Sequence, residues 1–117
     1  QADRDASRHV GLCFDMGHAN LYPDMRNDYL GYFDALAANV PLVHMHLHEN
    51  FGDADSHLLL GTGPAGDNPA GVRGLLKRLA GRGYHGSLIM EQWPDPPDEL
   101  ARARDWIHQL AIADAKR

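Results

Sequence analysis

A single cysteine, Cys13, stands in the 117-residue chain, so no disulfide can form within it. That usage fits a reducing, cytoplasmic compartment. Cys13 lies inside an apolar run and is expected to pack as a small core residue. No apolar run approaches the roughly 20 residues that cross a bilayer, and the first residues do not read as a signal peptide. No membrane partner is therefore expected. Basic residues are in the minority: 11 Lys and Arg stand against 16 Asp and Glu, for a net charge of -5. They are interspersed with the acids, and no basic stripe is present to follow a phosphate backbone, which argues against nucleic acid. Low-complexity segments and convincing internal repeats are also missing.

What remains is an ordinary globular composition, 44% hydrophobic and 23% charged, in a chain long enough for one domain over residues 1–117. The run Val10-Gly11-Leu12-Cys13-Phe14-Asp15 reads as a buried strand, with Leu12 and Phe14 on one face and Gly11, Cys13 and Asp15 on the other. From Asp24 to about Asn39, the residues Met25, Tyr29, Tyr32, Phe33 and Leu36 recur at helical spacing, and Asn39 offers a left-handed cap. Pro41 to His48 reads as a second strand. A Gly- and Asp-rich loop leads to Asn68-Pro69, a helix start with Asn as cap and Pro in the first turn. Val72, Leu75, Leu76 and Leu79 make that helix's stripe, and Gly81 and Gly83 stop it. Gly86 to Glu91 is a third strand, with Leu88 and Met90 opposite Ser87, Ile89 and Glu91. A last helix runs from about Asp98 to Ala113, its apolar face carrying Leu100, Ala103, Ile107, Leu110 and Ala111. Strands alternating with helices argue for an α/β fold with a parallel sheet.

Each expected strand ends near a group that binds cations: Asp15, His46 and Glu91. In a parallel sheet these ends share one side, where α/β proteins build their sites. The segment Val43-His44-Met45-His46-Leu47-His48 puts three imidazoles on one strand face, which is costly unless something polar occupies it. Asp55 and His57 follow in the next loop, and His18 sits one tight turn after Asp15. Imidazole and carboxylate together suit Mn²⁺, Co²⁺, Zn²⁺ or Fe²⁺, and a carboxylate-weighted site also admits Mg²⁺. Each residue has a plainer reading. Asp15 can be a helix cap, His44 a hydrogen-bonded interior histidine, Glu91 the partner of a buried Arg, and Asp55-Ser56-His57 a surface loop. His48 lies at or past the strand end as a pocket-lining residue. Glu91-Gln92-Trp93 adds an acid, an amide and an aromatic at one strand end, a mix suited to a polyol or sugar. His9, His85 and His108 fall outside the pattern.

Four motifs occur in order: Phe14-Asp15-Met16-Gly17-His18-Ala19-Asn20, Val43 through Gly52, Asp55 through Gly63, and Gly83 through Glu91. Together they resemble the xylose isomerase-like TIM barrel superfamily, which includes sugar phosphate isomerases and epimerases and the related endonuclease IV. The resemblance covers nearly the whole chain. It implies a parallel (βα)3 segment corresponding to the last three units of a TIM (β/α)8 barrel. It also implies that Asp15, His46 and Glu91 are metal ligands, and that Asp55 and His57 bind a further metal as in the endonuclease branch. By it, His18 is a substrate-side residue or an additional ligand and Glu91 is one of two proton-moving glutamates; Glu91 and His18 are thus the expected catalytic residues, and His48 and Trp93, from their places at the strand ends, are expected beside the substrate with His18.

The chain opens on Gln1, and its first residues read as the end of a helix or linker, so it is expected to be cut from something longer. The resemblance places the other proton-moving glutamate on a fifth strand outside this sequence, and a full barrel needs about 200 or more residues. Closing the sheet then calls for the rest of a barrel or another chain. The expected activity is metal-dependent isomerisation or epimerisation of a sugar or sugar phosphate through a metal-stabilised enediolate, in the intact protein and not in the isolated chain. The alternatives are an endonuclease IV-like phosphodiesterase acting on abasic DNA, and a catalytically inactive half-barrel.

Overall fold

The structure is a computed structural model that describes residues 8–25, 27–63, 71–93 and 97–115. Three strands, β1 (Leu12–Asp15), β2 (Leu42–Leu47) and β3 (Ser87–Met90), form one parallel sheet in the order β1-β2-β3. The helices are α1 (Met16–Ala19), α2 (Tyr29–Asp34), α3 (Val72–Gly81) and α4 (Asp98–Ala115), with a 3-10 turn at Pro23–Met25. The expected α/β architecture with a parallel sheet is present, and three such units in one open sheet are consistent with part of a barrel. No helix among the described residues is long and apolar enough to cross a membrane.

Strand parity gives the sheet two unlike faces. Phe14, Met45 and Leu47 point to the helices and join Leu30, Phe33, Leu75, Leu79, Ile107 and Leu110 in one buried cluster. The Phe14 ring meets Phe33 edge to face at 5.1 Å. Burial of these side chains against α2, α3 and α4 supplies the main stabilisation, at about 25 cal/mol per Å² of apolar surface. The opposite face carries Cys13, Asp15, His44, His46, Ile89 and Glu91 and stays partly or wholly open. Cys13 is therefore exposed and not a core residue. It shares the parity of Asp15, and among the described residues no helix covers that face.

Register fixes which open-face groups meet. Cys13 pairs with His44, Asp15 with His46, His44 with Ser87, and His46 with Ile89. The β1–β2 register slips between Leu12 and Cys13, because Leu12 pairs with Leu42 and the next residue pairs with His44. Val43 is the extra residue of this bulge. Gly11 makes room for it, since a Cβ there would strike the Val43 side chain.

The helix expected from Asp24 to about Asn39 is instead split. Asn27 takes a positive φ of 63°, and Asp28 restarts the chain as the cap of α2, accepting from the Gly31 amide at 2.9 Å. A local side-chain cap beats the continuing helical period here. After Asp34 the chain turns through Ala35 and reaches β2 without further helix. The α3 stop matches the expectation. Gly83 has φ 66°, the Gly83 amide donates to Ala80 and the Tyr84 amide to Leu79, both at 3.0 Å, which is the Schellman arrangement. Asn68-Pro69, expected to start this helix, lies outside the described residues. Arg78 ties α3 to α2 through a two-pronged bond to Asp34, at 2.6 and 2.7 Å. The last helix follows its expected course, with Ala103, Ile107 and Leu110 buried, while Ala111 is exposed.

Candidate metal centre

Asp15 is both the last residue of β1 and the cap of α1. Its Oδ1 accepts from the His18 amide at 2.9 Å and from His48 Nε2 at 2.8 Å. Its Oδ2 lies 2.8 Å from His18 Nδ1 and 3.6 Å from His46 Nδ1. The same His46 nitrogen is 3.3 Å from Glu91 Oε1. The parallel sheet thus brings together the three strand-end residues expected from the sequence. Asp15 as a cap and Asp15 as a site residue are not exclusive, since Oδ1 does the capping and meets His48 while Oδ2 faces His18 and His46. Burial pushes the Asp15 carboxyl up, but the bonds from His48 and the His18 amide, with the nearby imidazole charges, outweigh it and hold it below the ordinary aspartate value.

The loop after β2 closes over this group. His18 Nε2 lies 3.2 Å from Asp55 Oδ2, and His57 Nε2 lies 3.1 Å from Asp55 Oδ1. His57 Nδ1 donates to the Glu91 carbonyl at 2.7 Å. His57 stands at φ 48°, a left-handed conformation uncommon for a non-glycine residue. Its ring stacks on that of His48 at 3.9 Å and 7°. The Glu91 carbonyl, against some opposing burial, and then the Asp55 carboxylate raise the His57 pKa above the ordinary histidine value. Asp55 is held low: burial opposes this, and the His18 bond and the imidazole charges of His18, His57 and His48 prevail.

Several further residues hold this arrangement, and Asn20 and Glu49 had no role of their own in the sequence reading. His48, expected at or past the strand end as a pocket-lining residue, is fully buried, at 0% exposure. Gly17 permits this, because a Cβ at that position would overlap the His48 ring. Asn50 Oδ1 accepts from Asn20 Nδ2 at 3.0 Å and from the Gly52 amide at 2.9 Å, and its Nδ2 donates to the Gly17 carbonyl at 2.8 Å. The turn after β1 and the loop after β2 are thereby fixed to each other. Buried Glu49 accepts from the Gly61 and Gly63 amides, and its backbone bridges to Leu58. Gln92, also buried, donates to the Leu47 carbonyl at 3.1 Å and accepts from the Leu60 amide at 3.2 Å. The sequence signal for Glu49 was its place between His48 and Asn50, with Gly61 and Gly63 downstream. Trp93 is 80% exposed, with its ring 6.4 Å from His57, on a groove of about 310 Å³ shared with Ser56, Thr62 and Glu99.

The donor chemistry fits a divalent cation. One atom each from His18, His48, Asp55 and His57 lie within 4.8 Å of one another, and the same holds for Asp15, His48 and Glu91. His57 gives its Nδ1 proton to a backbone carbonyl, which leaves Nε2 as the lone-pair donor, the usual posture of a metal-binding histidine. Mixed imidazole and carboxylate donors suit Mn²⁺, Co²⁺ or Zn²⁺.

A parallel α/β sheet with acids and imidazoles gathered at its strand ends defines the class to which barrel-type sites belong. The sequence matches the family described as Xylose isomerase-like TIM barrel over residues 2–110, and the chain belongs to that family. No curated protein and no solved structure matches it significantly.

Two outcomes follow from this geometry. Gly17→Ala pushes the His48 ring out of place. It is expected to destabilise the protein by roughly 1–3 kcal/mol in denaturant unfolding and to weaken divalent-cation binding by about 10–100-fold in calorimetry. The pH dependence has two opposite signs. Because the His57 pKa is raised in the folded state, its contribution to stability in the cation-free protein is complete below the ordinary histidine value, near 6.5. It is lost as pH rises through the raised value. A cation held by His57 would compete with its proton, so affinity at that group is expected to rise with pH through the same value. Unfolding and binding measured from about pH 5.5 to about pH 8.5 check both signs.

Proposed function

We propose that this chain carries the metal-binding and proton-transfer half of a metal-dependent isomerase or epimerase acting on a sugar or sugar phosphate. The observation that carries the reading is Glu91. Its carboxylate stands at the end of β3, 3.3 Å from His46 and beside Asp15, yet its side chain is 31% exposed and within reach of a ligand on the open face. Asp15, His46 and Glu91 would hold the cation, with His48 beside them and Asp55 and His57 as donors for a second. When bound, a cation would polarise two neighbouring substrate oxygens and offset the charge that develops on them.

The chain's own residues then have separate tasks. The Glu91 carboxylate takes the proton from the carbon next to a carbonyl. The proton returns either to the other face of that carbon, which epimerises it, or to the neighbouring carbon, which isomerises it. The family resemblance assigns the second acid/base to a glutamate on another strand. His18, half exposed, reaches the substrate side and donates to a hydroxyl. Trp93 offers an aromatic face to the C–H side of a sugar ring. A reducing, cytoplasmic setting suits an exposed thiol such as Cys13.

A second reading, metal-dependent phosphodiester cleavage as in endonuclease IV, draws on one observation. The His18-His48-Asp55-His57 group adjoins the Asp15-His48-Glu91 group and shares His48 with it, so two cations would sit side by side, as in two-metal hydrolysis. The net charge of -5 weighs against a DNA substrate.

Incubating the intact protein, closed barrel included, with Mn²⁺ and a panel of ketose and aldose phosphates in deuterium oxide separates these readings by proton NMR. Loss of the signal at the carbon next to the carbonyl is expected. Glu91→Gln is expected to slow that exchange by about 10²–10⁴-fold while Mn²⁺ still binds. No exchange with any sugar, together with cleavage of an abasic-site duplex in Zn²⁺, would replace the first reading with the second.

A further inference from the structure

One layer below the strand ends, the open face of the sheet carries a donor set of different character. Cys13 and His44 are direct partners in the β1–β2 register, and His46 lies two residues further along β2 on the same face. The Cys13 sulfur and one nitrogen from each of His44 and His46 lie within 4.8 Å of one another. The two imidazoles meet edge to face at 5.0 Å. Cys13 is exposed on the side away from the helices, so an ion reaches it without disturbing the apolar core. Neither Cys13 nor His44 is used by the proton-transfer chemistry.

We infer that Cys13, His44 and His46 form a second cation site, selective for a thiophilic ion of the Zn²⁺ type and distinct from the carboxylate-rich centre above it. Ligand softness divides the two. A thiolate with two imidazoles favours Zn²⁺ and its surrogate Co²⁺ over Mg²⁺ or Mn²⁺, whereas the Asp15-His48-Glu91 group accepts the harder ions. Three protein donors leave a fourth tetrahedral position for water or a further donor. His46 links the sites: its Nδ1 faces Asp15 and Glu91, and the same ring contributes to the thiol group. Because Asp15, His48 and Glu91 converge without His46, the upper site keeps three donors when the lower one draws on His46. Binding replaces the S–H bond with an S–metal bond and releases one proton to solvent.

The test is a Co²⁺ titration of the full chain after chelator stripping, read by absorbance. A thiolate-to-cobalt charge-transfer band in the near ultraviolet is expected. Cys13→Ser should abolish it, and His44→Ala should weaken the affinity read from it by roughly tenfold or more. Asp55→Ala, which removes a donor from the loop group only, should leave it intact. Alkylation of Cys13 by iodoacetamide gives a check that needs no variant: saturating Zn²⁺ should protect the thiol and saturating Mg²⁺ should not. A wild-type chain with no charge-transfer band, or a thiol alkylated equally fast with and without Zn²⁺, overturns the inference. So does a band that is indifferent to His44→Ala in a variant whose circular dichroism is unchanged.

Discussion

The carboxylate of Asp15 is the constraint on which the rest of the site depends. One oxygen caps the short helix α1 and takes the His48 imidazole, and the other faces His18 and His46. Without it, the fully buried His48 would lose the acceptor of its Nε2, and leaving such a buried donor unpaired costs on the order of 1–3 kcal/mol. Its depressed pKa expresses the same fact: the folded structure favours the charged carboxylate despite its burial. The β1 turn, the end of β2 and the Asp55–His57 loop are held in one place because each supplies a partner to this group or to its immediate neighbours.

The two faces of the sheet divide the work. Phe14, Met45 and Leu47 bind the strands to the helices and give the strand ends a rigid base. The opposite face, freed from packing, carries the thiol, the imidazoles and the acids. Rigidity on one side is what allows polar groups on the other to be positioned and not merely exposed. The loops that cross the strand ends are fixed by buried amide and carboxylate contacts from Asn20, Asn50, Glu49 and Gln92, each of which satisfies backbone groups that would otherwise be stranded.

Much of this was legible in the sequence where a single period governed. Alternation at Leu12–Asp15 and Ser87–Glu91 gave the strand faces and set the acids at the strand ends, and the Gly83 stop followed from the need for a left-handed residue. Reading failed where a local contact or a missing cover decided the outcome. Asp28 capping Gly31 interrupted a helical period that ran through it. Cys13 looked like core because apolar residues flank it, although its parity with Asp15 already placed it on the uncovered face. His48 looked like a pocket residue, and its burial depends on Gly17, thirty-one positions away in the chain, having no side chain. Contacts of that kind leave no periodic trace. The residue pattern offered Asp55 and His57 as two more candidate ligands with a surface loop as their plainer reading, and the family resemblance implied a further metal there.

The central claim is that the strand-end donors gathered by Asp15 hold a divalent cation. Calorimetric titration of Mn²⁺ into the chain and into Asp15→Asn tests it most directly. Asparagine keeps the size and the capping ability of the aspartate but not its charge. Saturable Mn²⁺ binding is expected of the wild-type chain, and Asp15→Asn, with the fold intact by circular dichroism, is expected to lose the strand-end ion and so to bind one Mn²⁺ fewer per chain. Equal binding by both chains, or none by the wild type, would contradict it.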